Sequence, residues 1–369
     1  MRGLWLVLVC LSFLLSCNSR DAEPVEGKQV EIRHSSLLAI CESNGYTVVD
    51  VKNPWGEGLL RRYILVPSDS TMPQNLPTGT LIRTPLSKTV LFSGVHALLF
   101  QELEALSAIS GVCDSRYIYS TGVQSGLKEG TILDCGSSLD INTETIVRVN
   151  PDAIFVLPYE NGGYGKLDRF SYPLVECADY METSPLGCAE WVRFYARLLG
   201  CDEKGDSIFN AVCNEYETLR GKVSDVSIRP KLMCELKSTS AWYVPGGSST
   251  MGQMYKDAGA DYVFADYDTN GSVPLSVEVM LDKAADADVW LFKYNSLTDR
   301  TYTQLLGEYA GYAHFKPFKE KNVYACNTHR KNVFEETAFH PERLLRDLVS
   351  LFHPSLFPEY KTVYYEKMR

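Results

Sequence analysis

The chain has 369 residues, 45% of them hydrophobic and 22% charged, which is enough apolar material for two domains of ordinary size. Its 36 Lys and Arg stand against 46 Asp and Glu, a formal charge of -10 with no basic run, and this argues against nucleic acid and against adhesion to anionic lipid. An acidic surface suits a basic protein partner.

At the start, Arg2 precedes an apolar stretch from Leu4 to Leu15, too short for a permanent membrane span and the right length for a signal peptide over residues 1–16. It ends in LLSC, which resembles a bacterial lipobox whose cysteine, Cys17, is lipidated and becomes the mature N-terminus. Residues 17–29, with NSRDAEPVEGK after the cysteine, then form a polar tether, and the expected location is the cell envelope, lipid-anchored and facing the periplasm. Setting Cys10 and Cys17 aside from the eleven cysteines leaves nine, an odd number, so at least one is expected to be unpaired. There is no CxxC spacing and no His/Cys cluster along the chain; a structural zinc site is not expected, and buried free thiols are.

Residues 30–86 read as a small antiparallel β annex, because TVVDVKNPW, RRYILVP and LIRTP alternate in character and are separated by Pro-rich turns. From Lys88 the pattern changes. KTVLFSG, AISGVCD, DAIFVLP and PLVECA read as strands, HALLFQELEAL as a helix and ETIVRVN as a helical turn, giving a parallel α/β lobe over 87–202. AEWVRFYARLLG is a further helix. The next, over 203–222, is long and places Ile208, Phe209, Val212, Tyr216 and Leu219 on one stripe, as a helix linking two lobes would. KLMCELK, ADYVFAD, DVWLFKY and NVYACN are strands of a second α/β lobe over 223–369, with SSTMGQMYKDAG, VEVMLDKA and the closing HPERLLRDLVSLFHP as its helices.

One unit occurs twice. DINTETIVRVNPDAIFVLP (Asp140 to Pro158) and PLSVEVMLDKAADADVWLF (Pro274 to Phe292) each carry a Glu at the opening of a short helix, Glu144 and Glu278, with an Asp eight residues later, Asp152 and Asp286. The expected fold class is therefore α/β: two Rossmann-like lobes with parallel sheets joined by a single long helix, plus the N-terminal annex.

The lipobox, the two lobes and the stretches ISGVCDSRYI, NTETIVRVNPDAIF, PLGCAEW, VPGGSSTMG and LSVEVML resemble the substrate-binding lipoproteins of ATP-driven importers for iron complexes and cobalamin. The similarity covers roughly Ser87 to Pro354, and the annex looks like the N-terminal extension of some Bacteroidetes members. The resemblance implies a class III substrate-binding protein, monomeric, without catalytic centre, cofactor or metal site of its own. It would capture a ferric siderophore, haem or corrinoid between its lobes and deliver it to a permease dimer with ATPase subunits. No GxSxG, HExxH or Walker A motif is present. Glu144 and Glu278 match the exposed glutamates that dock on permease arginines, and an acid in the first turn of a helix is held ionised by the backbone amides there. On the alternative reading, Asn142 and Ser276 cap the helices and each Glu only complements the helix dipole.

The ligand is expected where loops leave the carboxyl ends of the strands. Candidate wall residues in the first lobe are Ser93, His96, Tyr117, Tyr159, Glu160 and Tyr164, and in the second Trp242, Tyr243, Phe334 and Glu335. Aromatic faces suit a flat chelate at small entropic cost. His96 could coordinate iron or cobalt, although a lone His in a helix-opening loop ordinarily serves as a cap or surface residue. His340 is expected to start the last helix and His329 to approach the cleft; with no converging ligand cluster in the sequence, a free-ion carrier is not expected. Two other classes compete: a surface lipoprotein that captures a ligand or adheres without a permease, its annex serving as the recognition face, and an α/β hydrolase using Ser248, Ser249 or Thr250, which lacks a placed base.

Overall fold

The computed structural model describes residues 24–239 and 241–369; Cys17 and its lipidation lie outside them. Strands β1 (Lys28–Val30), β2 (Leu38–Ser43), β3 (Tyr46–Lys52), β4 (Leu59–Pro67) and β5 (Thr80–Thr84) form the annex as one five-stranded sheet in chain order. Alternation along β3 and β4 puts Val49, Val51, Tyr63 and Leu65 into the main core and Val48, Ile64 and Val66 into a small outer cluster. The first four strands are antiparallel, as expected, but β5 runs parallel to β4, because the Pro-rich segment between them crosses back to the same end of the sheet.

The annex is fastened to the first lobe by two buried carboxylates. Glu190 accepts the backbone N–H groups of Arg33, His34 and Ser35 at 2.7 to 3.1 Å. Glu182 accepts from Ser36 N at 2.9 Å, Leu37 N at 3.1 Å and the Trp191 indole at 3.0 Å. Charge-assisted bonds of this kind make the annex part of the lobe.

The first lobe is built from β6 (Thr89–Leu91), α1 (Gly94–Glu102), β7 (Ile109–Val112), α2 (Thr121–Glu129), β8 (Leu133–Asp134), the short pair β9 (Gly136–Ser137) and β10 (Asp140–Ile141), α3 (Thr143–Val149), β11 (Ala153–Val156) and β12 (Leu174–Glu176). Its sheet has the order β12-β11-β6-β7-β8 and is parallel throughout. Helices α4 (Pro185–Glu190) and α5 (Val192–Leu199) lead to α6 (Asp202–Lys222), whose buried stripe of Phe209, Val212, Tyr216 and Leu219 packs against α5 on one side and the last helix of the second lobe on the other.

The second lobe comprises β13 (Lys231–Cys234), β14 (Trp242–Pro245), α7 (Thr250–Asp257), β15 (Asp261–Tyr262), β16 (Ser272–Leu275), α8 (Val277–Ala284), β17 (Val289–Tyr294), α9 (Tyr302–Glu308), α10 (Lys316–Lys319), β18 (Val323–Asn327), α11 (Val333–Thr337), α12 (Pro341–Phe352) and β19 (Glu366–Lys367). The sheet order is β15-β13-β17-β18-β19, parallel except for β19, and β14 pairs with β16 as a separate antiparallel ribbon.

The repeated unit has a topological meaning. In each lobe the helix that opens with the repeated Glu feeds the strand that pairs with the lobe's first strand: α3 leads into β11 beside β6, and α8 into β17 beside β13. The Asp equivalence needs correction. Asp152 donates its N–H to Lys88 O and accepts from Lys88 N, and the residue making the same exchange in the second lobe, with Lys231, is Asp288. Asp286 instead pairs with the Lys231 ammonium at the surface. Two more residues separate Glu278 from its strand than separate Glu144 from its own, which an eight-residue count hides.

Candidate functional site

A cavity of about 570 Å³ opens between the lobes, inside the usual range for small-molecule sites. The first lobe contributes Ser93 and His96 after β6, Leu157 to Tyr159 after β11, and Asp179 and Tyr180 after β12, all at carboxyl ends of parallel strands. The second lobe contributes Met251 and Met254 of α7, Phe334 and Thr337 of α11, and Ala338 just after it. The lining is mainly apolar. It contains no Lys or Arg, and its ionisable groups are His96, Asp179, Cys188 and the phenols of Tyr159 and Tyr180.

At the floor lies a polar cluster. Ser93 caps α1 by accepting Val95 N–H, which places His96 on the first turn with its ring buried against Phe155, Tyr195 and Phe339. His96 Nε2 is 3.2 Å from Asp179 Oδ1, and Tyr195 donates its hydroxyl to the same oxygen at 2.6 Å. Cys177 is the third member: its sulfur and the reactive atoms of His96 and Asp179 all lie within 4.8 Å of one another. Burial disfavours the imidazolium, but Cys177 and Asp179 beside it more than offset this and raise its pKa to about 10. Burial pushes the Cys177 thiol up. The absence of a ligand cluster expected from linear spacing is thus corrected: β6, β11 and β12 lie side by side, and their carboxyl ends bring together residues 81 to 83 positions apart.

The lobes are held against each other on either side of the cavity. Glu335 of α11 reaches into the first lobe and accepts Tyr119 N–H at 3.2 and 3.3 Å. A Cβ at Gly94 would come within 2.0 Å of its carboxylate, so this approach requires glycine there. Burial raises the Glu335 carboxyl pKa. Thr250 donates its hydroxyl to Glu182 O at 2.7 Å, a second bond between lobes. The third joins His340 to Glu102 on α1, with Arg343 at 3.3 Å from the same carboxylate.

Of the wall residues expected from sequence, Ser93, His96, Tyr159 and Phe334 border the cavity. Glu335 lies beside it as an interlobe bond. Tyr164 borders a neighbouring hollow of about 490 Å³ within the first lobe, which Tyr159 shares. Tyr117, Glu160 and Tyr243 are exposed and outside the lining of both. Trp242 is a correction: it is fully buried, packed on Trp290, Tyr312 and Phe315, and its indole donates to Cys234 O and Glu235 O at 3.0 Å. It stands in the ribbon β14, whose first residue faces the lobe interior. His340 stands at the N-cap position of α12, as expected, with its ring nitrogens turned to Glu102 and Glu342 instead of a capping bond. Of the serines and threonine considered for hydrolysis, Ser249 caps α7 and Ser248 bonds Asp268 at 2.5 Å, while Thr250 is occupied by Glu182.

The sequence reading missed Asp179, Tyr180, Cys177 and the two methionines of α7. The triplet Cys177-Ala178-Asp179 directly after a buried strand was the available signal, since strand ends face the cleft in such sheets. The nine cysteines of the described residues are all free, six of them buried.

Glu144 and Glu278 are both exposed in the first turns of α3 and α8. Asn142 and Ser276 are the caps, accepting Thr145 N and Val279 N, so the capping reading describes the local geometry and leaves the glutamates facing solvent. A hydrogen bond from Ser276 lowers the Glu278 carboxyl pKa.

Comparison with known proteins places these features. Residues 110–329, well over half of the chain, match the family model described as periplasmic binding protein. An uncharacterized lipoprotein of Methanocaldococcus jannaschii is 26% identical over 298 residues, covering 78% of this chain and 70% of the relative. The fold is shared with the TroA-like periplasmic binding protein FepB of Veillonella parvula, at 18% identity and a TM-score of 0.58 over 78% of this chain and 96% of that one. It is shared as well with the periplasmic vitamin B12 binding protein BtuF of Vibrio cholerae, at 13% identity and a TM-score of 0.54 over 74% and 99%.

Proposed function

Because the chain belongs to the periplasmic binding protein family, whose members are substrate-binding transport proteins and not enzymes, we propose that it captures a metal chelate between its lobes and hands it to an ABC permease and its ATPase subunits. The observation that carries this reading is the cavity itself: apolar, of small-molecule size, and walled by both lobes. The cargo classes are an iron complex, as siderophore or haem, and a corrinoid, the last supported by the likeness to a vitamin B12 binding protein. Among these, the lack of Lys and Arg in the lining disfavours a strongly anionic catecholate complex, whose charge would be desolvated without a partner. A weakly charged hydroxamate or a flat macrocycle fits better, with Phe334 and Tyr159 offering broad faces.

Envelope location follows from the family, and we assign the anchor to Cys17. Its replacement by Ser would release the protein from the membrane fraction with the fold intact.

Visible absorption and native mass spectrometry on protein mixed with haem, a ferric hydroxamate, a ferric catecholate or a corrinoid test the reading. One retained chromophore at one per chain, weakened at least tenfold by Phe334→Ala, is expected. Retention of none of the four would overturn it.

A further inference from the structure

We propose that His96, Cys177 and Asp179 are the protein's own ligands for a borderline divalent transition cation, held at the floor of the interlobe cavity. The inference rests on the cleft being the cargo site and goes further: this cation is the protein's own, separate from the metal inside the captured chelate, and the atoms that bind it are named. One nitrogen, one sulfur and one oxygen donor converge, each from a residue at least nine-tenths buried. His96 Nε2 and Asp179 Oδ1 are 3.2 Å apart. With metal–ligand bonds of about 2.0 Å, the edge of a tetrahedral site is about 3.3 Å, so these two atoms already stand at the separation that joint coordination requires.

The surroundings fit a metal site. Tyr195 donates to Asp179 Oδ1 at 2.6 Å and packs edge-on to the His96 ring at 5.2 Å. Such outer contacts fix the direction of the ligand atoms. Three protein donors leave a fourth position, and since His96 and Asp179 border the cavity while Cys177 lies behind them, that position faces the cavity, which is also the route of entry. A small chelator or a water in the cavity would complete the sphere.

The donor set selects the metal. A thiolate beside an imidazole favours zinc, cobalt(II) or nickel(II) over hard ferric iron, magnesium or calcium. Binding converts the Cys177 thiol to a metal thiolate and the His96 imidazolium to the neutral ring, both protons passing to solvent, and no oxidant or reductant is involved.

Cobalt(II) titration of chelator-stripped protein, followed by visible absorption, tests the site. One cobalt per chain is expected, with sulfur-to-cobalt charge transfer and the strong ligand-field bands of a four-coordinate ion, and with zinc displacing it. Cys177→Ser should abolish the charge-transfer band, and His96→Gln and Asp179→Asn should each weaken binding at least tenfold. Tyr195→Phe should weaken it less while keeping the band. If the buried substitutions impair folding, X-ray absorption of zinc-loaded wild-type protein decides, with one sulfur at about 2.3 Å expected. Failure to bind cobalt at one per chain, an unaltered spectrum in folded Cys177→Ser, or a zinc shell without sulfur would each overturn the proposal. The chromophore assay on the same preparations separates the two readings: a chelate retained without cobalt binding removes this inference and leaves the importer reading standing.

Discussion

His340 Nε2 lies 2.7 Å from Glu102 Oε2, and this bond crosses from the helix cap of α12 in the second lobe to the end of α1 in the first. His340 also meets Glu342 through Nδ1 at 2.9 Å. Burial alone would lower the imidazole pKa; the two carboxylates outweigh it and raise it to about 9. Burial likewise opposes ionisation of Glu102, while His340 and Arg343 lower its pKa overall.

The sign of the pH effect follows. A histidine raised in the folded state stabilises fully below its ordinary pKa of 6.5, and the contribution is lost as pH rises through about 9. The shift corresponds to at most about 3 kcal/mol. Melting temperature should therefore fall between pH 7 and pH 10, and His340→Gln should be less stable at pH 7 and show a smaller fall, the remainder coming from His96. An alkaline limb unchanged in His340→Gln would assign the fall to other groups.

Trp242→Ala should destabilise the second lobe by about 3 to 5 kcal/mol, the range for emptying a buried aromatic site. Cargo affinity per folded molecule should change little, because the side chain is outside the cavity lining. Urea denaturation alongside cargo titration separates the two effects. A stable variant with weakened capture would return Trp242 to the cleft.

If Glu144 and Glu278 dock on permease arginines, replacing both with Ala should abolish uptake and complex formation and leave cargo affinity intact, since neither borders the cavity. Single replacements should impair partially. Complex formation should weaken with salt, because exposed ion pairs are screened beyond about 8 Å at physiological ionic strength. Wild-type uptake by the double variant would leave the two glutamates as dipole-complementing residues only.

Much of this molecule was legible in its sequence, for reasons that can be named. Period-two alternation gave the annex strands, and apolar runs punctuated by turns gave the two parallel sheets. The stripe Phe209, Val212, Tyr216 and Leu219 gave α6. The site was harder. A tryptophan before a Gly-rich loop reads equally well as cleft wall or as core, and only the pairing of β14 with β16, a contact between segments about thirty residues apart, turns Trp242 inward. The direction of β5 depended on where a Pro-rich connection crosses. His96, Cys177 and Asp179 meet because β11 inserts between β6 and β12, an order that no local spacing encodes. Glu335 was picked out by its position after the last parallel strand, but its reach across to Tyr119 depends on the bare backbone at Gly94.

The two lobes share a single rod, α6, of 21 residues and about 31 Å, gripped by α5 on one flank and α12 on the other. If a rod packed on both flanks bends little, Glu144 and Glu278 keep nearly the same spacing whether the cleft is filled or vacant. With those glutamates as the docking points, a vacant copy presents the importer with the same face as a full one and competes for it. Transport in such an arrangement has an optimum dose: past the point where the carrier outnumbers its cargo, each added copy of the protein is vacant and slows delivery.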